Sequence, residues 1–125
     1  MDAYLSDEAH SSLEALNMVR GDQDGLLLGH MRGHRFFVEK IFPTQKGFFS
    51  SQEQYISLNQ HFSDRVIGFF SFNPDERKAK KILAPLTQGK LYLSIHSQGD
   101  DALDIRSYRI DYKDRFFLSP IRLKS

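Results

Sequence analysis

Two short polar side chains, Ser71 and Asn73, lie at the end of an apolar run in the sequence, just before a proline. The run VIGFFSF is typical of a buried strand, and strand-to-turn junctions often carry catalytic groups. A hydroxyl and a carboxamide are not normal zinc ligands, because catalytic zinc takes imidazole, thiolate or carboxylate groups. A nucleophilic serine needs a base and an oxyanion hole, and the chain has no Gly-x-Ser-x-Gly elbow. The residue types at this junction therefore disfavour both a zinc-ligand pair and a serine nucleophile.

Two histidines, His30 and His34, flank a predicted hairpin turn. They could form a replacement metal site, but the sequence offers no third ligand nearby. Histidines at strand ends are more often hydrogen-bonded surface residues. Asp22 is a polar residue at the junction of a predicted helix and a predicted strand.

The composition predicts one folded domain over residues 1–125. Hydrophobic residues make up 40% of the chain and charged residues 26%, which is too apolar for a disordered protein. Seventeen basic and sixteen acidic residues give a net charge of +1, so we expect no nucleic-acid or membrane partner. The absence of cysteine excludes thiolate chemistry and agrees with a cytoplasmic location. We expect no signal peptide and no membrane span.

The spacing of apolar residues predicts about three helices and six strands, forming one mixed α/β sheet domain. Helices are predicted at 5–21 and 51–62, and a third over 73–85. In the third helix, Asn73, Pro74 and Glu76 have the residue types of an N-cap, an N1 and an N3 position. Strands are predicted at 24–31, 35–43, 65–72, 90–96, 103–111 and 114–123. Pro120 indicates an edge or an irregularity in the last strand.

Three segments resemble motifs of the JAB/MPN family, which contains the JAMM zinc isopeptidases and their inactive relatives. They are DQDGLLLGHMRGHRFFVEKIFP, RVIGFFSFNP and LYLSIHSQGDDALDIRSYRID, and the likeness runs over roughly residues 5–120. The bacterial branch is the most similar. The resemblance implies a cytidine-deaminase-like α/β fold. In active members a His-x-His motif and a downstream aspartate bind zinc, and an upstream glutamate is the general base.

The positions that match these family residues carry other side chains here. The glutamate position falls on Asp22, the two histidine positions fall on Ser71 and Asn73, and Phe72 lies between them; Pro74 is retained. The resemblance therefore implies a pseudoenzyme with no catalytic residue, no metal and no cofactor. Asp22, Ser71 and Asn73 are its vestigial positions.

Such a member is expected to be a binding or assembly module for a protein partner or a peptide tail, for example a ubiquitin-like or sulfur-carrier-like protein. The predicted binding groove consists of Asp22, Phe70, Ser71, Phe72 and Asn73. The alternative is a zinc-dependent isopeptidase or peptidase with substituted metal ligands, drawn from Asp22, His30, His34, Asp75 and Glu76.

Overall fold

A computed structural model describes residues 1–18, 24–44, 52–62, 65–75, 83, 85–97 and 102–124. These residues contain eight strands and two α-helices. In chain order the elements are β1 (Asp2–Leu5), α1 (Asp7–Asn17), β2 (Asp24–Arg32), β3 (Arg35–Thr44), α2 (Gln52–His61), β4 (Val66–Phe72), β5 (Leu91–Ser97), β6 (Leu103–Lys113), β7 (Arg115–Pro120) and β8 (Arg122–Lys124). One 3-10 turn, Pro85–Thr87, precedes β5. Neither described α-helix is long and apolar enough to cross a membrane.

All eight strands belong to one sheet, in the order β7-β6-β5-β4-β2-β3-β1-β8. The last two strands are consecutive in the chain yet lie on opposite edges of the sheet. The crossing occurs at Ile121, whose N–H donates to the Ser107 carbonyl (3.0 Å) and whose carbonyl accepts from the Ser107 hydroxyl (2.8 Å). Ile121 thus bonds to β6, and β8, which follows it, pairs with β1. The sheet thereby becomes a nearly closed barrel. Because proline has no N–H for a ladder, the strand changes partner beside Pro120.

The predicted fold class, a JAB/MPN-like α/β domain with about three helices and six strands, is wrong. The described residues are mostly in strands, and the sheet has eight of them. One extra strand, β1, has only four residues, too few to show a period, and it pairs in parallel with β3. The other arises because the predicted strand over 114–123 is two strands that pair with different partners.

The predicted third helix does not begin at Asn73. This residue has φ 49°, a left-handed conformation, whereas an N-cap lies in the extended region. Pro74 and Asp75 are not helical. Most of the remaining predicted segment, residues 76–82 and 84, lies outside the described residues, Glu76 included.

The first helix agrees with its prediction. Ser6 is the N-cap, with φ −66° and ψ 159°, and its hydroxyl accepts a hydrogen bond from the Ala9 N–H at 3.0 Å. Asp7 and Glu8 place negative charge in the first turn, where the helix dipole favours it. Ala9 and Leu13 are fully buried and attach the helix to the sheet.

The sheet has two apolar faces, which we name after the helix that covers each. The α1 face is formed by Ala3, Leu5, Leu27, Phe36, Val38, Ile67, Phe70, Phe72, Leu91, Leu93 and Ile95, packed against Ala9 and Leu13 of α1. The α2 face is formed by Leu26, Leu28, Val66, Phe69, Tyr92 and Ile110, with Leu58 of α2 and Phe62, the residue that follows α2, packed on it. Side chains alternate between faces along each strand, so every polar residue can be assigned to one of them.

Candidate functional site

A row of four polar side chains crosses the α2 face, one from each of four neighbouring strands. In the pairing register, Asp24 on β2 lies opposite Ser71 on β4, Ser71 lies beside Ser94 on β5, and Ser94 lies opposite Arg106 on β6. We call Asp24, Ser71, Ser94 and Arg106 the polar row. Neighbouring strands are about 4.8 Å apart, so the row is about 14 Å long.

The polar row is buried at one end and open at the other. Asp24, Ser71 and Ser94 are buried, with exposed fractions of 3%, 0% and 7%. The Arg106 side chain is 64% exposed. The row therefore has a buried carboxylate at β2, hydroxyls in the middle and a solvated guanidinium at β6. The two ends of the polar row therefore differ in both charge and exposure to solvent.

Tyr92 lies two residues before Ser94 and adds a third hydroxyl beneath the polar row. Burial raises the pKa of Tyr92 to about 12; the Ser71 hydroxyl opposes this shift and the charge of Asp24 adds to it. The phenol therefore stays neutral and remains a hydrogen-bond donor. In the part of the chain that the structure describes, neither the Tyr92 nor the Ser71 hydroxyl has a hydrogen bond of normal geometry. Buried hydroxyls without such partners are uncommon and often mark a functional position.

His96 extends the site beyond the polar row. Its Nε2 atom is 2.9 Å from the Ser94 hydroxyl oxygen, and in the register it lies opposite Asp104. The Asp104 carboxylate accepts a hydrogen bond from Arg106 Nε at 3.3 Å. The serine and histidine have the separation of a nucleophile and its base. They are also a donor–acceptor pair that could contact a polar ligand.

Asn73 connects the ends of two strands. Its N–H donates to the Ile95 carbonyl at 2.7 Å, and its side-chain Oδ1 accepts from the Ser97 N–H at 3.1 Å. An asparagine tolerates the left-handed backbone found here better than most residues do. The Asn73 carboxamide oxygen therefore has a structural role in joining β4 to β5.

The residues of the predicted groove do not all share one surface. Ser71 lies on the α2 face, whereas Phe70 and Phe72 are buried on the α1 face, with their ring centroids 6.1 Å apart. Alternation along β4 separates the two rings from Ser71. Asp22 lies outside the described residues. The structure thus places Ser71 within the polar row and Asn73 beside it, and it does not place the two rings there.

The two histidines of the alternative metal site lie far from the polar row. His30 is six residues along β2 from Asp24, or about 20 Å in an extended strand. Its Nδ1 is 2.6 Å from Glu39 Oε1, and its ring stacks on Phe37 at 4.9 Å. His34 is in the hairpin loop, and its carbonyl accepts from the Asp2 N–H at 3.4 Å.

The remaining described residue of that alternative, Asp75, follows β4 at the opposite end of the sheet from His30. Within the described ranges, no three His, Asp or Glu residues are grouped closely enough to hold a metal ion.

The sequence did not single out Asp24, Tyr92, Ser94, His96 or Arg106. One signal was available, since Asp24 is a charged residue at the start of the otherwise apolar stretch DGLLLG. The other residues become neighbours only through strand pairing between segments that are distant in the chain.

Comparisons with known proteins address the fold. No family model and no curated protein matches the chain. Among solved structures, the chain is similar to the solution structure of protein DSY2949 from Desulfitobacterium hafniense, with a TM-score of 0.68 and 17% identity. The match covers 98% of this chain and 93% of that one. At this identity the likeness shows a shared fold.

Proposed function

We propose that this protein is a binding module without zinc-hydrolase chemistry, and that the polar row receives the end of a peptide tail. One observation carries the proposal. The two positions that match the family's zinc-binding histidines hold a buried serine hydroxyl, Ser71, and a carboxamide oxygen, on Asn73, that accepts a backbone N–H. Neither group is a normal zinc ligand.

The motif resemblance extends this proposal to a family. The chain is a degenerate bacterial relative of the JAB/MPN proteins, recognised by its short motifs rather than by the helix and strand counts, which were wrong. On this view its partner is a protein with an extended tail, of the ubiquitin-like or sulfur-carrier-like kind. The cytoplasm is the compartment in which we expect the two to meet, in keeping with a chain that has no cysteine.

The direction of the polar row determines how a tail would bind. The buried carboxylate of Asp24 repels an anionic terminus. The exposed guanidinium of Arg106 donates its Nε–H to Asp104, so its two terminal nitrogens are the donors that would receive an anionic terminus. A terminal carboxylate therefore lies between Arg106 and the Ser94–His96 pair, with Ser71 and Tyr92 forming the floor beneath. An arginine and a carboxylate can form two parallel hydrogen bonds, which fixes the register of the tail.

Metal analysis separates this proposal from a zinc-dependent isopeptidase with substituted ligands. The purified protein would be measured for zinc by mass spectrometry, and its melting temperature compared with and without a chelator. We expect far less than one zinc per chain and an unchanged melting temperature, because only a bound ion stabilises the fold by mass action. One zinc per chain together with a chelator-induced drop of several degrees would favour the isopeptidase.

A peptide titration tests the binding role. A hexapeptide that ends in Gly-Gly with a free carboxylate, and the same peptide as a C-terminal amide, would be added to 15N-labelled protein. We expect saturable shifts of the Ser94, His96 and Arg106 amides with the free acid, and at least tenfold weaker binding of the amide. Arg106→Gln should weaken binding of the acid similarly. The control is Arg115→Gln on β7, an exposed arginine outside the polar row. Equal affinity for acid and amide would contradict the proposed orientation.

A further inference from the structure

A second cross-strand row lies at the other edge of the sheet and is mostly cationic. In the register, Arg32 on β2 lies opposite Arg35 on β3, Arg35 lies beside Asp2 on β1, and Asp2 lies beside Arg122 on β8. We call Arg32, Arg35, Asp2 and Arg122 the arginine row. Paired residues point to the same side of a sheet, so three guanidiniums and one carboxylate share a face.

The positive charge of the arginine row is only partly compensated. The Asp2 carboxylate is 3.8 Å from Arg122 Nε and 3.5 Å from Lys124 Nζ, so its charge is already shared between two cations. Arg32 and Arg35 lie directly opposite each other, and like charges at such a position destabilise a sheet. A local feature that opposes folding often serves a ligand.

An open cavity of about 390 Å³ adjoins this excess charge. It is lined by Met1, Asp2, Arg32, Gly33, His34 and Arg35. Gly33 and His34 form the two-residue loop between β2 and β3, and Gly33 has φ 62°, as the first position of a tight hairpin loop requires. Apart from Gly33 and its two chain neighbours, no described atom lies within 4 Å of the place where a Cβ of Gly33 would be, so the space above the loop is open.

The neighbouring row on the same face limits the kind of ligand. It contains His30, Phe37, Tyr4 and Lys124, again paired across four strands. The Phe37 ring stacks on His30 at 4.9 Å and on Tyr4 at 5.1 Å, and the Lys124 ammonium lies 5.9 Å from the Tyr4 ring centroid. The faces of Phe37 and Tyr4 are thus covered by neighbours. A nucleobase would need a free ring face for stacking.

We infer that this cavity binds a small oxyanion of the phosphate type, held between the guanidiniums of Arg32 and Arg35. Each guanidinium presents a planar fork of N–H donors that matches the oxygens of a phosphate group. A bound anion also removes the repulsion between the two arginines. Because the anion binds the folded state, it should increase the free energy of unfolding. The site is separate from the polar row and does not depend on the proposed function.

A titration with inorganic phosphate tests this inference. Phosphate would be added to the 15N-labelled protein, with sodium chloride at equal ionic strength as the control. We expect saturable shifts of the Gly33 and His34 amides with phosphate alone, with a dissociation constant in the millimolar range. Shifts that are linear in concentration, or equal with chloride, would overturn the site.

Variants and a nucleotide complete the test. Arg35→Gln should weaken phosphate binding at least fivefold, and Arg32→Gln should do the same; retained dispersion of the remaining amide signals checks the fold. Arg115→Gln, outside the cavity, should bind like wild type. Adenosine monophosphate should bind within about threefold of phosphate, because neighbouring groups already cover the ring faces of Phe37 and Tyr4. An unchanged affinity in both Arg32→Gln and Arg35→Gln, or a nucleotide that binds more than tenfold tighter than phosphate, would refute the inference.

Discussion

The Tyr92 phenol approaches the Ser71 hydroxyl on the α2 face, and both groups are buried. Neither has a hydrogen bond of normal geometry to a residue that the structure describes. Two polar groups without good partners at one point of a sheet oppose folding, since each loses its contacts with water. Both hydroxyls lie under the polar row, so the unfavourable burial occurs at the site proposed to bind a tail.

Removal of the Tyr92 hydroxyl should not destabilise the protein. Tyr92→Phe eliminates a buried donor that has no normal partner, so the free energy of unfolding should stay the same or rise by about 1 kcal/mol. Urea denaturation followed by circular dichroism measures this. Tyr108→Phe, at a half-buried tyrosine of the same face, is the matched control and should change stability by less than about 0.5 kcal/mol. A loss of 1 kcal/mol or more in Tyr92→Phe would mean that the hydroxyl is well bonded.

The pH dependence of stability should contain a contribution from Tyr92 at alkaline pH. The pKa of Tyr92 rises from 10.0 to about 12 on folding, so the folded protein holds this proton more tightly than the unfolded chain. The stabilisation is complete below pH 10 and is lost as the pH increases from 10 to 12. Between pH 9 and pH 11 the loss from this group is about 1 kcal/mol.

Tyr92→Phe provides the control for the alkaline effect. The variant should lose less stability than wild type over the same pH interval, by about the amount assigned to Tyr92. Absorbance of tyrosinate should show one of the five tyrosines ionising later than the rest. Identical pH profiles of the two proteins would show that the Tyr92 pKa is not raised.

A close contact between two strands leaves no room for a side chain at Gly68. A Cβ at this position would collide with the carbonyl oxygen of Leu91 on the neighbouring strand. Gly68→Ala must therefore move the backbone of β4 or β5, and we expect a loss of about 2–4 kcal/mol in the free energy of unfolding. Gly33→Ala is a useful comparison, because only its positive φ is strained and about 1 kcal/mol is expected. Equal stability of Gly68→Ala and wild type would show that β4 and β5 are not packed this closely.

Ser94 should not react as a catalytic nucleophile. Although its hydroxyl is 2.9 Å from His96 Nε2, the carboxylate opposite that histidine is bonded to Arg106 instead. A fluorophosphonate probe followed by intact-mass analysis should therefore detect no adduct after prolonged incubation. An adduct located on Ser94, and absent from Ser94→Ala, would establish a metal-independent hydrolase and contradict the proposed binding role.

Local signals in the sequence were sufficient for several elements. Ser6, Asp7 and Glu8 mark the start of α1 through capping and charge, which act within one helical turn. The tight loop at Gly33 and the apolar runs on either side predict the hairpin of β2 and β3. The residue types Ser71 and Asn73 likewise showed that imidazole is missing from the matched zinc positions.

Tertiary contacts determine the features that local sequence signals did not predict, namely the conformation of Asn73 and the presence of β1. Asn73 has the composition of a helix cap, but its N–H and Oδ1 bond to β5, and this interaction with a distant strand outweighs the local preference. β1 is too short to show a period and exists because β3 and β8 pair with it on either side.

The polar row likewise depends on tertiary contacts between strands. Asp24, Ser71, Ser94 and Arg106 span 82 positions of sequence from first to last (106 − 24) and become a row only through the register of three strand pairs. A shift of one residue in any pair would turn those side chains to the other face. Register depends on how both faces of the whole barrel pack, and that is a property of all eight strands together rather than of any single segment.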